Sequence, residues 1–197
     1  MKRVFIVHRW EGLATDDWYR WLASELASCD IETVIPQMPE TDAPHIETWV
    51  PALAQAVGEP DEETYLVGHS IGCQTIAKYL ETLGEGKKVG GAVFVAGYFK
   101  RLTGFENEGA KVAEIVNEWL TTPLDLTKVR AHLPGSVAIF SDDDPYVPMD
   151  NLDDFRDVLG SEIVVVSNKG HMSPSGVPPV TELTEAKQAV LSLMNLT

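Results

Sequence analysis

The stretch Tyr65-Leu66-Val67-Gly68-His69-Ser70-Ile71-Gly72-Cys73-Gln74 decides how this chain is read. An apolar run, TYLVG (64–68), leads into a serine with a glycine two places before it and another two places after. A helical pattern follows at once, with Ile76, Leu80 and Leu83 on one face and Gly84 at its end. G-x-S-x-G between a strand and a helix is a nucleophile-elbow arrangement. The serine there occupies a turn so sharp that residues two places away approach each other and the adjacent strands. Side chains at Gly68 and Gly72 would clash. The turn lifts the Ser70 hydroxyl above the sheet and aims the positive end of the next helix at it. The Ile71 N–H can then donate to an oxyanion.

A five-residue pattern also occurs in ordinary turns, so its surroundings matter. Further buried strands are predicted at RVFIVH (3–8), GAVFVAG (91–97), SVAIFS (136–141) and EIVVVS (162–167), with a weaker one at ETVIP (32–36). Each is a short β-branched run bounded by turn residues, as expected of parallel strands covered on both faces. Helical stripes lie between them. One carries Trp18, Trp21, Leu22 and Leu26. Another carries Ile46, Trp49, Val50, Leu53 and Val57, with Pro44 in its first turn and Gly58 at its stop. Leu152, Phe155 and Leu159 mark a further helix, and Leu183, Ala186, Val190 and Leu193 the last. This alternation predicts an α/β three-layer domain spanning 1–197. Residues 98–135 hold two stripes without a strand between them, which predicts a helical, lid-like excursion.

The 197 residues suffice for one compact core. A formal net charge of −15 disfavours nucleic acid and anionic membranes as partners. Two cysteines, Cys29 and Cys73, make no disulfide framework, and a cytoplasmic location is expected. No H-x-x-x-H or C-x-x-C spacing, Walker lysine motif or G-x-G-x-x-G is present, so neither a metal nor a nucleotide cofactor is expected.

A serine hydroxyl needs a base to take its proton and a third group to orient that base. Hydrolases of this type order them serine, acid, histidine. Asp142, Asp143 and Asp144 follow the fifth strand, and His171 follows the sixth, both at ends where α/β sheets place chemistry. Asp144, stiffened by Pro145 and Pro148, is the preferred acid, with Asp142 and Asp143 as turn residues or caps. Among the five histidines only His171 has both the order and the position. His69 is expected to pack beside the elbow, and His45 and His132 to lie on the surface. The loop after the first strand, H-R-W-E-G (8–12), should supply a second oxyanion donor from the backbone of Arg9 or Trp10. His8, Trp10, Tyr98, Phe99, Tyr146 and Met172 are candidates for the substrate pocket, against the alternative of plain core or lid packing.

With these residues in place, the chain resembles the small serine hydrolases grouped with retinoblastoma-binding protein nine and the YdeN-like bacterial proteins. The resemblance runs along nearly the whole length. It is carried by D-x-W-Y-x-W-L (16–22), M-P (38–39), T-W-V-P (48–51), G-H-S-I-G (68–72), A-G-Y-F (96–99), E-N-E (106–108), D-D-P-Y-V-P (143–148) and G-H (170–171). It implies a compact α/β-hydrolase fold, with a six-stranded, mostly parallel sheet in the order 2-1-3-4-5-6. It also implies a small lid, a triad of Ser70, Asp144 and His171, and no cofactor. The L-x-C-x-E partner motif for which the mammalian relative is named is absent around both cysteines, so that partner is not transferred. The expected activity is hydrolysis of an ester or small amide of a small-molecule acyl substrate. The competing reading is a catalytically silent protein-binding module on a hydrolase scaffold.

Overall fold

A computed structural model describes residues 1–16, 18–174 and 179–196. The β-branched runs form β1 (Arg3–Val7), β2 (Glu32–Val34), β3 (Thr64–His69), β4 (Gly91–Val95), β5 (Ser136–Ser141) and β6 (Glu162–Val166). They make one sheet in the order β2-β1-β3-β4-β5-β6, every neighbouring pair parallel. The helices are α1 (Tyr19–Ala27), α2 (Ile46–Val57), α3 (Ile71–Thr82), α4 (Ala110–Thr121), α5 (Leu126–Ala131) and α6 (Thr184–Leu193).

The period-2 alternation of side chains divides the core between the two faces of the sheet. Val4 and Ile6 of β1 pack with Tyr19, Leu22 and Leu26 of α1 and with Ala186 and Val190 of α6. Phe5 and Val7 point the other way, into a layer with Trp49 and Leu53 of α2, Ile76 and Leu80 of α3, Trp119 of α4 and Val129 of α5. Both faces are covered, which is why β1 reads as an unbroken apolar run. Three tryptophans are wholly buried, and each finds a carbonyl for its indole N–H, as buried indoles require. Trp18 donates to Met172 O at 3.1 Å, Trp49 to Pro39 O at 2.7 Å and Trp119 to Pro44 O at 2.8 Å.

Several elements depart from the sequence reading. β4 stops at Val95 because Ala96 turns into a positive-φ conformation, φ 48°. Pro44 lies outside α2, whose cap is the extended residue His45. Pro51 is instead accommodated inside that helix, on its exposed side. The Leu152–Leu159 stripe is not an α-helix but a 3-10 turn (Met149–Asn151) and a π-helical turn (Asp154–Leu159), closed by Gly160 at φ 72°. β6 is an edge strand and only partly covered: Ile163 packs on one layer, Val164 and Val166 on the other, and Val165 is 50% exposed. His132 is buried rather than superficial, its Nδ1 bonded to Lys87 O at 2.7 Å. His45 is half-exposed and paired with Glu118 at 2.6 Å.

The two helices of the 98–135 excursion behave differently. α5 packs against α3 and the π-helical turn, as part of the body. α4 is fastened by Trp119 and by Glu118, whose Oε1 accepts the Ile46 N–H at 2.8 Å. The residues of this stretch that reach the cavity above the sheet run from Tyr98 to Val112.

Candidate active site

The elbow is built as its glycines require. Ser70 takes φ 55° and ψ −119°, a conformation L-residues seldom adopt, held by Ser70 N–H donating to Val95 O at 2.8 Å. A methyl group at Gly68 would lie 2.7 Å from Cys73 N, and one at Gly72 would overlap the Val7 carbonyl. The strand–turn–helix crossing is therefore possible only without side chains at these two positions. Ser70 and Ile71, the first residue of α3, both line a cavity of about 560 Å³ above the C-terminal ends of the strands.

The same cavity is lined by His171. His171 Nδ1 lies 2.8 Å from Asp144 Oδ2 and 3.1 Å from Oδ1. The Asp144 side chain is only 2% exposed, yet its carboxylate is well satisfied. Its Oδ1 also accepts the N–H groups of Tyr146 at 2.9 Å and Val147 at 3.1 Å. A carboxylate so held fixes Nδ1 as the protonated ring nitrogen, which leaves Nε2 bare to act as a base.

The three consecutive aspartates do three different jobs. Asp144 meets the imidazole. Asp143 accepts from the Ser141 hydroxyl at 2.6 Å and from the Gly170 N–H at 2.8 Å. Asp142 accepts from the Ser167 hydroxyl at 2.7 Å and the Asn168 N–H at 3.0 Å. Asp142 and Asp143 are thus ties between the loop after β5 and the loop that carries His171. The Ser141 hydroxyl oxygen adds a third tie by accepting the Lys169 N–H at 3.0 Å. The Ser141 hydroxyl, with the Gly170 N–H behind it, holds the Asp143 carboxyl below its ordinary pKa.

The pocket candidates divide. Trp10, Tyr98 and Tyr146 line the cavity, together with Arg9, Leu102, Phe105 and Val112. His8, Phe99 and Met172 do not. His8 is fully buried and turns its imidazole back, accepting the Met38 N–H at Nε2 (3.0 Å), and burial lowers its pKa. Phe99 stacks on Phe155 with ring centroids 4.6 Å apart. Met172 takes φ 51° and enters the layer around Trp18. Burial pushes up the pKa of the Cys73 thiol beneath the elbow and of the Tyr98 phenol, so both stay neutral. An aromatic row runs along the lining of the cavity. Trp10 stacks on Phe105 at 6.1 Å, Phe105 meets Tyr146 at 5.3 Å, and Tyr146 stands edge-on to His171 at 5.2 Å.

The Arg9 N–H donates to the Tyr19 hydroxyl at 3.2 Å, whereas the Trp10 N–H has no partner among the described residues. Tyr19 itself was not singled out by the sequence. A tyrosine on an apolar helical stripe gives no sign that its hydroxyl has a buried partner. Among the described residues, no group of three His, Cys, Asp or Glu side chains is placed to hold a metal ion, and no helix is long and apolar enough to cross a membrane.

Residues 4–177 match the family described as Serine hydrolase. The chain belongs to the serine hydrolase family. YdeN of Bacillus subtilis (strain 168) is 29% identical to this serine hydrolase over 170 residues, 86% of this chain and 85% of that protein. Serine hydrolase RBBP9 of Rattus norvegicus is 26% identical over 183 residues, 92% of this chain and 89% of its own. The crystal structure of the B. subtilis ydeN gene product superposes with a TM-score of 0.89 at 26% identity. That match covers 99% of this chain and all of the other. The six-stranded α/β-hydrolase fold and the YdeN-like membership thus agree with the sequence reading.

Proposed function

We propose that this serine hydrolase cleaves a carboxylic ester or small amide by way of an acyl-enzyme on Ser70. The observation that carries the reading is the 2.8 Å contact between His171 Nδ1 and Asp144 Oδ2, at a cavity that His171 shares with Ser70. In this reading His171 Nε2 takes the Ser70 proton as Oγ attacks the acyl carbonyl. Asp144 holds the tautomer and stabilises the imidazolium. The oxyanion is met by the N–H groups of Ile71 and Trp10. Trp10 is preferred to Arg9 because the Arg9 N–H is already engaged by Tyr19. His171 returns the proton to the departing alcohol or amine, and water then releases the acid by the same route. No cofactor enters. The aromatic row and the cavity of about 560 Å³ favour a small acyl group over a long lipid tail. Residues 102–112 are the proposed cover of the site.

The test is labelling by a fluorophosphonate, with the adduct located by mass spectrometry. A label on Ser70 that is lost in Ser70→Ala and His171→Ala supports the reading. Folded protein that takes no label, with residues 102–112 shortened as well as intact, would favour a binding module instead.

A further inference from the structure

Three loops must stay in register around Ser70: the oxyanion loop after β1, the elbow after β3 and the histidine loop after β6. One buried chain of hydrogen bonds touches all three. The Arg9 N–H meets the Tyr19 hydroxyl at 3.2 Å, that hydroxyl meets His69 Nδ1 at 2.7 Å, and His69 Nε2 meets the His171 carbonyl at 2.8 Å. The direction of the chain is fixed from its far end. A carbonyl only accepts, so His69 carries its proton on Nε2. Nδ1 is then an acceptor, which makes Tyr19 O–H its donor and leaves the phenol oxygen to accept from Arg9 N–H. These three contacts are then consistent in direction from Arg9 to the His171 carbonyl. Tyr19 and His69 are both fully buried, where a lost partner would leave an unsatisfied polar group. Burial first, and His171 second, hold the His69 pKa well below its ordinary value, in keeping with a neutral ring.

The residue before Tyr19 adds a second hold. Trp18 Nε1–H donates to Met172 O at 3.1 Å, so consecutive carbonyls of the histidine loop, at His171 and Met172, are each gripped by a buried donor. Trp18 and Tyr19 stand against each other at 4.8 Å and both against the His69 ring, at 5.6 and 5.8 Å. This assigns a purpose to the W-Y pair of the D-x-W-Y-x-W-L stretch.

We propose that Tyr19 and His69, backed by Trp18, are positioning residues: a buried clamp that sets the oxyanion loop and the His171 loop at fixed places relative to Ser70. The proposal rests on the triad reading above. It predicts that the clamp serves the transition state, because a shift of about 1 Å in a catalytic group lowers the rate by roughly 100-fold while ground-state binding survives.

The experiment follows hydrolysis of p-nitrophenyl acetate by the wild type, Tyr19→Phe, His69→Gln, His69→Leu and the Tyr19→Phe/His69→Leu double variant, each checked for folding by melting. Tyr19→Phe is expected to lower kcat roughly 10- to 100-fold with KM nearly unchanged. His69→Gln, which can still present an N–H to His171 O, should keep more of kcat than His69→Leu. The double variant should be no slower than His69→Leu, because the residues act as one unit. A Tyr19→Phe enzyme with wild-type kcat, or losses that simply add, would overturn the clamp. Tyr19→Phe keeps the ring and decides the matter alone should the His69 variants fail to fold. Nitrogen-15 spectra of the histidine rings give a readout independent of turnover. His69 should be the Nε2–H tautomer in the wild type and lose that single form in Tyr19→Phe, and an unchanged spectrum counts against the clamp. A wild type that neither hydrolyses the ester nor takes the fluorophosphonate label, while its spectra behave as expected, would sink the hydrolase reading and with it the catalytic role of the clamp, leaving only its hydrogen bonds.

Discussion

Gly170 hangs from Asp143 as His171 hangs from Asp144: the Gly170 N–H donates to Asp143 Oδ1 at 2.8 Å, and the next residue along each of the two loops makes the His171–Asp144 contact, also 2.8 Å. The candidate acid and base are thus joined twice, once through backbone and once through side chains. Asp143→Asn keeps an acceptor for Gly170 and should retain most activity, whereas Asp143→Ala should lower kcat by roughly tenfold. The Asp143 carboxyl is held below its ordinary pKa. Its contribution to stability is therefore complete above the unfolded value and is lost as pH falls through the folded one. The difference in Tm between wild type and Asp143→Asn should narrow as pH drops below the ordinary carboxylate range.

Asp144→Asn should reduce the rate of ester hydrolysis by about 10⁴-fold, the scale seen when a triad carboxylate is replaced and the histidine takes the wrong tautomer. Asp142→Ala, which removes a tie to Ser167 and Asn168 but leaves the imidazole alone, should fall far short of that. Equal losses in the two variants would count against Asp144 as the acid.

Gly72→Ala should be close to intolerable. The added methyl meets the Val7 carbonyl and lies 3.0 Å from His8 O, and backbone cannot yield as a side chain can. A destabilisation of about 3 kcal/mol is expected, at the upper end for overpacking. Urea unfolding reads it directly.

His45 and Glu118 join α2 to α4. The hydrogen bond that His45 Nδ1–H donates to Glu118 is the main cause of a raised His45 pKa. The pair's contribution is therefore complete below the unfolded histidine pKa and lost as pH rises through the folded one. Glu118→Gln should lower Tm more at about pH 5.5 than at about pH 9, and an effect that grows with pH would contradict the pairing.

Phe105 is the keystone of the aromatic row between Trp10 and Tyr146. Phe105→Ala should raise KM for acetyl esters by roughly tenfold and shift preference toward longer acyl chains, measured across a p-nitrophenyl ester series.

The placement of Ser70, Asp144 and His171 at strand ends was legible because each follows a β-branched run that the sheet makes visible. The chain end of a strand places the next few residues near the site with little freedom. Side-chain direction was not legible in the same way. His8, Phe99 and Met172 stand at the right loops, but His8 turns back to Met38, Phe99 turns to Phe155, and Met172 is rotated by its positive φ into the Trp18 layer. Strand spacing could not reveal these turns. The roles of Asp142 and Asp143 depend on a partner loop some distance along the chain, and Tyr19 on a histidine in another element. The π-helical turn was hidden for a related reason: Phe155 and Leu159 fit an α-helical spacing equally well.

Every strand in this sheet meets a neighbour that is remote in sequence: Val7 lies beside Gly68, and Ser141 beside Val166. Among the described residues no hairpin is available to start the sheet cheaply, and such non-local pairing is slow to form. As the ribosome makes the chain, Ser70 emerges long before His171. A nascent chain therefore carries its serine without the base. Its β-branched runs also lack their partners for part of synthesis, which exposes them to aggregation and makes a chaperone useful.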